Sequence, residues 1–170
     1  MIDLAIPTGA IFSEDGKFRY ALWRHCADMF SMPQHPIIRL QISLNPSSAG
    51  ALNNDPTITR SMVRARKDGF GIFIQGNLSA YISTDPKLFL KAGCQIGAET
   101  DAYLKQMIDL ALSSDGQVVC AWGSFQGISA RAKEVLKMIP EPYCLGVNSD
   151  GQPKHPLYVG YDIPVVKYKI

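Results

Sequence analysis

The segment from Ile37 to Gly50 constrains the fold of this chain more than any other. Residues 37–44 are mostly β-branched or long and apolar, which is typical of a strand buried on both faces. The Asn-Pro-Ser-Ser sequence that follows cannot extend this strand, because proline lacks the backbone donor that a central strand needs. In an open α/β sheet, the loops at the carboxyl ends of the strands border the ligand crevice. We therefore predict that Asn45 begins a loop beside a binding site.

Three later segments repeat this pattern of an apolar strand that runs into small polar residues. They are residues 70–77, 117–122 and 143–147. Helical patterns separate them, and the predicted helices cover 55–68, a short stretch after 85–86, 98–113 and a segment that ends before Pro140. Strands that alternate with helices predict right-handed crossovers and a parallel sheet with helices on both faces.

The two ends of the chain predict further strands. Residues 9–24 are typical of a β-hairpin with Asp15-Gly16 at its turn, and residues 163–170 alternate as an edge strand does. The predicted fold is α/β, a three-layer α/β/α sandwich with a four-stranded parallel core sheet plus an N-terminal β-hairpin. At 170 residues, the chain is expected to form a single domain, 1–170.

Composition and charge narrow the functional classes. The chain is 46% hydrophobic, but its apolar runs are of strand length, and its N-terminus lacks the basic region of a signal peptide. We therefore expect a soluble, cytoplasmic protein that does not bind membranes. The net charge of +2 does not by itself indicate a nucleic-acid binder. The four cysteines and three histidines show no metal-ligand spacing, so we predict buried reduced thiols, no metal and no cofactor.

Polar and aromatic side chains follow the predicted strands. Because the carboxyl ends of parallel strands share one edge, we expect Asn45, Asn77 and His155 to converge. Two amides, a histidine and aromatic rings suit a pocket that grips a nucleobase edge, donates to a carbonyl oxygen and stacks on a ring. The candidate catalytic residues are Asn45 and His155. The candidate substrate-binding residues are Pro46, Ser47, Ser48, Asp55, Thr57, Arg60, Asn77, Trp122, Gly123 and Tyr158.

Several of these residues have structural alternatives. Asn45 before a proline is also a common turn former. Arg60 lies on a predicted helix with Arg64 and Lys67, where a solvated basic face is the simplest interpretation. Trp122 at the end of an apolar strand is also typical of a core residue.

The motifs together resemble an uncharacterised bacterial and phage family of unknown function. They are Leu44-Asn45-Pro46-Ser47, Asp55-Pro56-Thr57 with Arg60, Asn77-Leu78, Ala121-Trp122-Gly123 and His155-Pro156-Leu157-Tyr158. The resemblance extends from Arg19 to Tyr161. That family has no established activity, but its order of motifs resembles that of the uracil-DNA glycosylase superfamily. The resemblance therefore implies a glycosylase-like fold.

The glycosylase resemblance also implies roles for individual residues. In the mismatch-specific branch, a G-x-N-P-G loop carries the residue that positions the hydrolytic water, and residues 44–47 are similar to it. A Pro-Gly-Asn-Arg stretch then opens a helix, where this chain has residues 55–60. The superfamily reads the base edge with an asparagine at the place of Asn77. The uracil-specific branch puts the histidine of a late His-Pro-Ser loop on the base carbonyl, and His155 is similar.

The chain departs from the glycosylases at informative positions. Ser43 and Ser47 replace loop glycines, and Leu157-Tyr158 stand where the uracil enzymes place residues that pinch DNA and wedge into its stack. We therefore expect a nucleobase, a nucleotide or DNA as the partner, with N-glycosidase activity on an ordinary or modified base. Asn45 can orient a water but cannot act as a general base, which predicts slow hydrolysis.

Two other functions remain open. The first is a binding module that recognises a modified base, a nucleotide or a protein partner without turnover. The second is a hydrolase, because Ser124, Asp150 and His155 follow the chain order of an α/β-hydrolase triad. The nucleophile elbow of that fold needs glycines where this chain has Trp122 and Gln126.

Overall fold

The computed structural model describes residues 1–27 and 32–169, and it is an α/β fold built on one seven-stranded mixed sheet. Its strands are β1 (Thr8–Phe12), β2 (Arg19–His25), β3 (Ile38–Ser43), β4 (Ile72–Asn77), β5 (Gln117–Cys120), β6 (Pro142–Cys144) and β7 (Val166–Lys167). Its helices are α1 (Pro56–Lys67), α2 (Pro86–Lys91), α3 (Thr100–Ser113) and α4 (Ser129–Leu136). A one-turn 3-10 helix covers Pro156–Tyr158.

The strand order is β1-β2-β4-β3-β5-β6-β7, with β3 at the centre. β3 pairs in parallel with β4 and β5, and β5 pairs in parallel with β6. The outer pairings, β1–β2, β2–β4 and β6–β7, are antiparallel. Every residue of β3 is buried, as its apolar sequence predicts. Ser43 pairs with Asn77 in the register of β3 and β4, so these strands end side by side at one edge of the sheet.

The predicted α/β class and the N-terminal hairpin are confirmed, but the sheet is larger than expected. The hairpin does not stand apart, because its second strand, β2, pairs with β4. The predicted tail strand is confirmed for β7, which pairs with β6 at the far edge. Ile170 lies outside the described residues.

The helices pack on both faces of the sheet. On one face, Ile58 and Ala65 of α1 pack with Leu22 and Phe73. On the other face, α3 and α4 contribute Leu104, Met107, Ile108, Ala111, Ala132 and Val135 to the larger apolar core. No helix in the described ranges is long and apolar enough to cross a membrane.

Local sequence explains where α1 begins and ends. The Asp55 side chain accepts a hydrogen bond from Ile58 N at 2.8 Å, and Pro56 takes the first helical position, where its missing N–H leaves no helical bond unmade. Gly69, just beyond the helix, has a φ of 86°, a left-handed conformation that glycine adopts without strain. The predicted helix from Asp55 to Asp68 is therefore confirmed, and its first turn lies at the sheet edge where β3 ends.

Candidate functional site

A cavity of about 300 Å³ opens where β3 and β4 end. This volume is at the lower end of the range for small-molecule sites. Eight of the predicted site residues line it: Asn45, Ser47, Asp55, Thr57, Asn77, Trp122, His155 and Tyr158. The convergence of side chains that are distant in the sequence follows from the parallel pairing of β3 with β4 and β5.

The other four predicted residues do not line this cavity. Pro46 is buried, and its carbonyl accepts from Ser83 N at 3.0 Å. Ser48 is exposed. Gly123 lines a neighbouring cavity of about 630 Å³, which shares Trp122, His155 and Tyr158 with the first. Arg60 holds a segment of backbone instead.

Asn77 is the last residue of β4 and lines the cavity, with its amide nitrogen buried. Its Oδ1 accepts from Gln75 Nε2 at 3.4 Å, and Gln75 Oε1 in turn accepts from Gln41 Nε2 at 2.9 Å. This amide chain assigns the orientation of the Asn77 side chain. Asn77 is only 3% exposed, and its Nδ2 has no hydrogen-bond partner in residues 1–27 and 32–169. A buried unpaired donor costs about 1–3 kcal/mol, which an acceptor atom of a ligand would offset.

Asp55 is the one acidic side chain in the described cavity lining, and it is 8% exposed. Its Oδ1 caps α1, so Oδ2 is the oxygen left to accept from water or from a ligand. The Asp55 carboxylate also favours the charged forms of Arg19 and His155, raising the pKa of each against the effect of burial. The cavity lining therefore combines a carboxylate with a guanidinium and an imidazole.

His155 presents a neutral imidazole to the cavity. Its Nδ1 accepts from Leu157 N at 3.4 Å and caps the 3-10 turn that follows, which leaves the proton on Nε2. Burial lowers the pKa of His155 below its ordinary value of 6.5, and the nearby Asp55 opposes this effect. At neutral pH, Nε2–H is therefore a hydrogen-bond donor without a positive charge.

The Asn45 side chain joins two loops at the cavity. Its Nδ2 donates to Ser83 O at 2.8 Å and lies 3.1 Å from Pro46 O and 3.4 Å from Tyr81 O. Asn45 thus has the structural role of a loop-forming residue whose side chain bonds to backbone, and it also lines the cavity. Since Nδ2 is occupied, the group that Asn45 can offer to a ligand or a water is its Oδ1, which is an acceptor.

Arg60 and Arg64 of α1 hold the segment that carries His155. Arg60 donates to Pro156 O at 3.0 Å and to Val159 O at 2.7 Å, and its guanidinium lies 4.3 Å from the centre of the Tyr161 ring. Arg64 donates to several carbonyls further along the same segment. The interpretation of this helix face as solvated is therefore wrong for Arg60 and Arg64, because backbone carbonyls replace water around them.

The two aromatic residues of the site differ in availability. Trp122 is buried and donates from Nε1 to Gln152 Oε1 at 2.7 Å, and its ring packs edge-on against Tyr168. It is a core residue with one side at the cavity. Tyr158 is 85% exposed at the mouth, and its ring centre lies 5.7 Å from that of His155. Tyr158 is therefore the ring that a ligand can stack on.

Sequence reasoning missed seven cavity residues: Arg19, Ser43, Leu44, Ile58, Gln75, Ser83 and Thr84. Arg19 is the most informative of them. It begins β2, and its backbone N–H donates to Ala80 O just after β4 ends, because an antiparallel strand starts where its neighbour stops. A charged residue in an apolar aromatic strand was the available signal, but its neighbours come from distant parts of the chain.

A family model described as "Protein of unknown function (DUF1643)" matches residues 19–157, which is most of the chain. The chain belongs to the DUF1643 family. The resemblance to an uncharacterised family is therefore confirmed at this level. No curated protein and no solved structure matches the chain, so the glycosylase-like fold stays a prediction. The DUF1643 match contains every residue of the described cavity lining except Tyr158.

The structure does not bring Ser124, Asp150 and His155 into a triad. Ser124 Oγ accepts from Asn148 Nδ2 at 3.0 Å, and a hydrogen bond from Ser124 lowers the pKa of Asp150. The His155 ring is instead bonded to Leu157 N. In a hydrolase triad the histidine lies between the serine and the acid. Here, in the described part of the chain, Ser124 is hydrogen-bonded to Asn148 and Asp150 to Gln152, and neither is hydrogen-bonded to the histidine.

Proposed function

We propose that the DUF1643 cavity binds a nucleobase, and that the protein is an N-glycosidase acting on an ordinary or modified base in DNA or in a nucleotide. The observation that carries this proposal is the unpaired amide nitrogen of Asn77, buried at the wall of a cavity that also contains the His155 donor. Both donors suit the acceptor atoms on the edge of a base.

The remaining groups supply acceptors beside the ring, where the sugar and the attacking water are expected. Asp55 Oδ2 and Asn45 Oδ1 are the acceptor atoms left free by the cap and by the loop contacts. Base edges carry both donors and acceptors, and single-stranded or flipped bases are recognised through them. Tyr158 offers a stacking surface at the mouth. A planar heterocycle satisfies the two donors and stacks on Tyr158, whereas a flexible apolar ligand would leave the donors unpaired.

The proposed chemistry follows from the charges that develop as the glycosidic bond breaks. The sugar becomes positive and the departing base becomes negative, so preorganised donors at the base favour the transition state. His155 Nε2–H donates to the base oxygen without first having to lose a charge. Asp55 stabilises the positive sugar, and Asn45 Oδ1 orients the water that attacks it. The proton that this water loses ends on the departing base, whose negative charge it neutralises. The Asp55 carboxylate thus supplies the negative charge that Asn45 lacks.

A second candidate is base binding without turnover. It is favoured by the single carboxylate in the described lining, because one oxygen of that carboxylate is already committed to capping α1. In this case His155 and Asn77 recognise the base, and no water is activated. Measuring binding and cleavage side by side for the wild type and the variants separates the two candidates.

The first experiment combines binding and base release. The full-length protein is incubated with bases, nucleosides, nucleotides and oligonucleotides that contain ordinary and modified bases. Released base is measured by chromatography, and affinity is measured by calorimetry. We expect Asn77→Ala to weaken binding about tenfold, or ~1.4 kcal/mol, and His155→Gln to slow release about 100-fold.

Gln126→Ala is the matched control, because Gln126 is an exposed amide outside both cavities. Circular dichroism verifies that each variant is folded. Binding without release by the wild type would favour the second candidate. If no compound of the panel binds or is cleaved, both candidates are wrong.

A further inference from the structure

Five arginines are buried in the described part of the chain: Arg19, Arg24, Arg39, Arg64 and Arg131. Four of them have an ion-pair partner or several backbone acceptors for their terminal nitrogens, although Nε of Arg39 and of Arg64 has no partner among the described residues. Arg24 and Arg64 each donate to several backbone carbonyls. Arg39 and Arg131 each form an ion pair with an aspartate. Burying a charge without such partners is costly, so this pattern is the expected one.

Arg19 departs from this pattern. It is 2% exposed, yet its guanidinium has a single hydrogen-bond acceptor in the described residues, the Ala49 carbonyl, which Nη1 contacts. Its Nε is buried without a partner, as are those of Arg39 and Arg64. Unlike those two arginines, Arg19 has neither an ion pair with a described carboxylate nor several backbone acceptors. Of the five arginines, Arg19 is also the one that lines the cavity.

The unused part of the Arg19 guanidinium has a specific shape. Nη1 is taken by Ala49 O, which leaves the edge formed by Nε and Nη2. The N–H groups of this edge are parallel and match the two oxygens of a carboxylate or a phosphate. Burial lowers the pKa of Arg19 to about 10, so the group is still positively charged at neutral pH.

We propose that the Nε–Nη2 edge of Arg19 forms an oxyanion subsite in this cavity, for a carboxylate on the base or a phosphate of a nucleotide. The inference rests on the proposed function for the remainder of the ligand, since Asn77 and His155 hold the ring. Asp55 lines the same cavity, and its negative charge opposes a second anion. The oxyanion therefore binds against Arg19 and away from Asp55.

The test uses ligand pairs that differ only in the oxyanion. One pair is a pyrimidine base with and without a ring carboxylate, and the other is a nucleoside with and without its 5′-phosphate. Inorganic phosphate alone is a fifth probe. Affinities are measured by calorimetry on the full-length protein. We expect at least one anionic member to bind about tenfold more tightly than its neutral partner, and the pair that shows this difference identifies the source of the oxyanion.

Variants on both sides of the cavity sharpen the test. Arg19→Gln should abolish the advantage of the anionic ligand, and Arg19→Lys should retain only part of it. Asp55→Asn should increase the advantage, because it removes the opposing charge and keeps the helix cap. Arg66→Gln is the control, since it removes one positive charge from an exposed position of α1.

The outcomes separate this inference from the proposed function. Equal affinity within both ligand pairs, or an unchanged advantage in Arg19→Gln, overturns the Arg19 subsite even if bases bind. Binding of phosphate alone that Arg19→Gln abolishes, with no binding of neutral bases or nucleosides, supports the subsite and removes the nucleobase proposal. If Arg19→Gln does not fold, the wild type and Asp55→Asn decide, because the increase in Asp55→Asn requires an anion in this cavity.

Discussion

Asp55 serves two structures with its two carboxylate oxygens. Oδ1 accepts from Ile58 N and caps α1, while Oδ2 is left for the cavity. Asparagine has the same shape and caps helices about as well as aspartate, whereas alanine cannot accept a hydrogen bond. The two functions of the residue can therefore be separated by substitution.

We predict that Asp55→Ala lowers the free energy of unfolding by about 1 kcal/mol, the usual cost of a lost N-cap. Asp55→Asn keeps the cap and should lower the free energy of unfolding less than Asp55→Ala does, but its rate of base release should fall sharply. Urea denaturation and the base-release assay measure the two effects. Equal destabilisation by both substitutions would contradict this separation.

The half-buried His155 predicts a dependence of stability on pH. Its pKa in the folded protein is lower than 6.5, so in the range just below that value the unfolded chain binds a proton that the folded protein does not. The part of the free energy of unfolding that depends on a neutral His155 is fully present above pH 6.5. It is lost as the pH falls from 6.5 towards the lower pKa that His155 has in the folded protein. We predict that the free energy of unfolding decreases more between pH 7.5 and pH 5.5 in the wild type than in His155→Gln.

Urea denaturation at several pH values measures this difference. His35→Gln is the matched control, because His35 is exposed and lies away from the cavity. The control should behave as the wild type does. Parallel pH curves for the wild type and His155→Gln would show that the histidine titrates alike in the folded and unfolded states.

At the scale of elements, α1 organises the site more than any strand does. Its N-terminus holds Asp55, and its arginines hold the backbone that follows His155. Carbonyl oxygens that accept from a guanidinium form strong, charge-assisted hydrogen bonds. The 3-10 turn of Pro156–Tyr158 is therefore positioned by a helix and not by its own short structure.

We predict that Arg60→Met loosens this turn. Among the described residues, the amides of Tyr158 and Val159 donate only within the segment, to His155 O and Pro156 O, so they should exchange with solvent faster in the variant. Ligand affinity should fall with them. Hydrogen exchange measures the first effect, with the exposed Arg66→Met as control. Unchanged exchange at 158–159 would mean that Arg60 does not hold the turn.

Sequence reasoning succeeded where the signal was local or followed from parallel pairing. The Asp-Pro caps of α1 and α2 and the buried run of β3 are written in neighbouring residues. The edge that unites Asn45, Asn77 and His155 follows from strand direction. The partners of Arg60 were not predictable, because its acceptors are backbone carbonyls almost a hundred residues away, and backbone carbonyls have no sequence signature.

For the molecule as a whole, the mixed sheet explains why sequence reasoning missed Arg19. The order of strands and helices predicts a parallel core, in which site residues come from the carboxyl ends of the strands. β2 runs antiparallel to β4, so its first residue, Arg19, lies at the same edge as the end of β4. Which strand flanks β4 is a long-range property that periodicity does not contain.

The overall charge predicts how tightly the protein binds nucleic acid without regard to sequence. A net charge of +2 supplies little sequence-independent attraction to phosphates. We predict weak binding to duplex DNA that lacks a recognised base, with a dissociation constant above ~10⁻⁵ M near physiological salt and a shallow dependence on salt concentration. Fluorescence anisotropy with a labelled duplex at several salt concentrations tests this. Tight, steeply salt-dependent binding would indicate a basic surface that the net charge conceals.

The position of α1 also bears on how this protein can change over evolutionary time. One rigid helix sets the place of Asp55 at its tip and, through Arg60, the place of the turn that carries His155. The distance between the Asp55 carboxylate and the His155 imidazole is therefore set by one element, α1. Core substitutions elsewhere in the sheet can alter robustness to heat and leave this spacing intact. Related proteins can therefore differ widely in their core residues while Asp55 and His155 keep their relative positions.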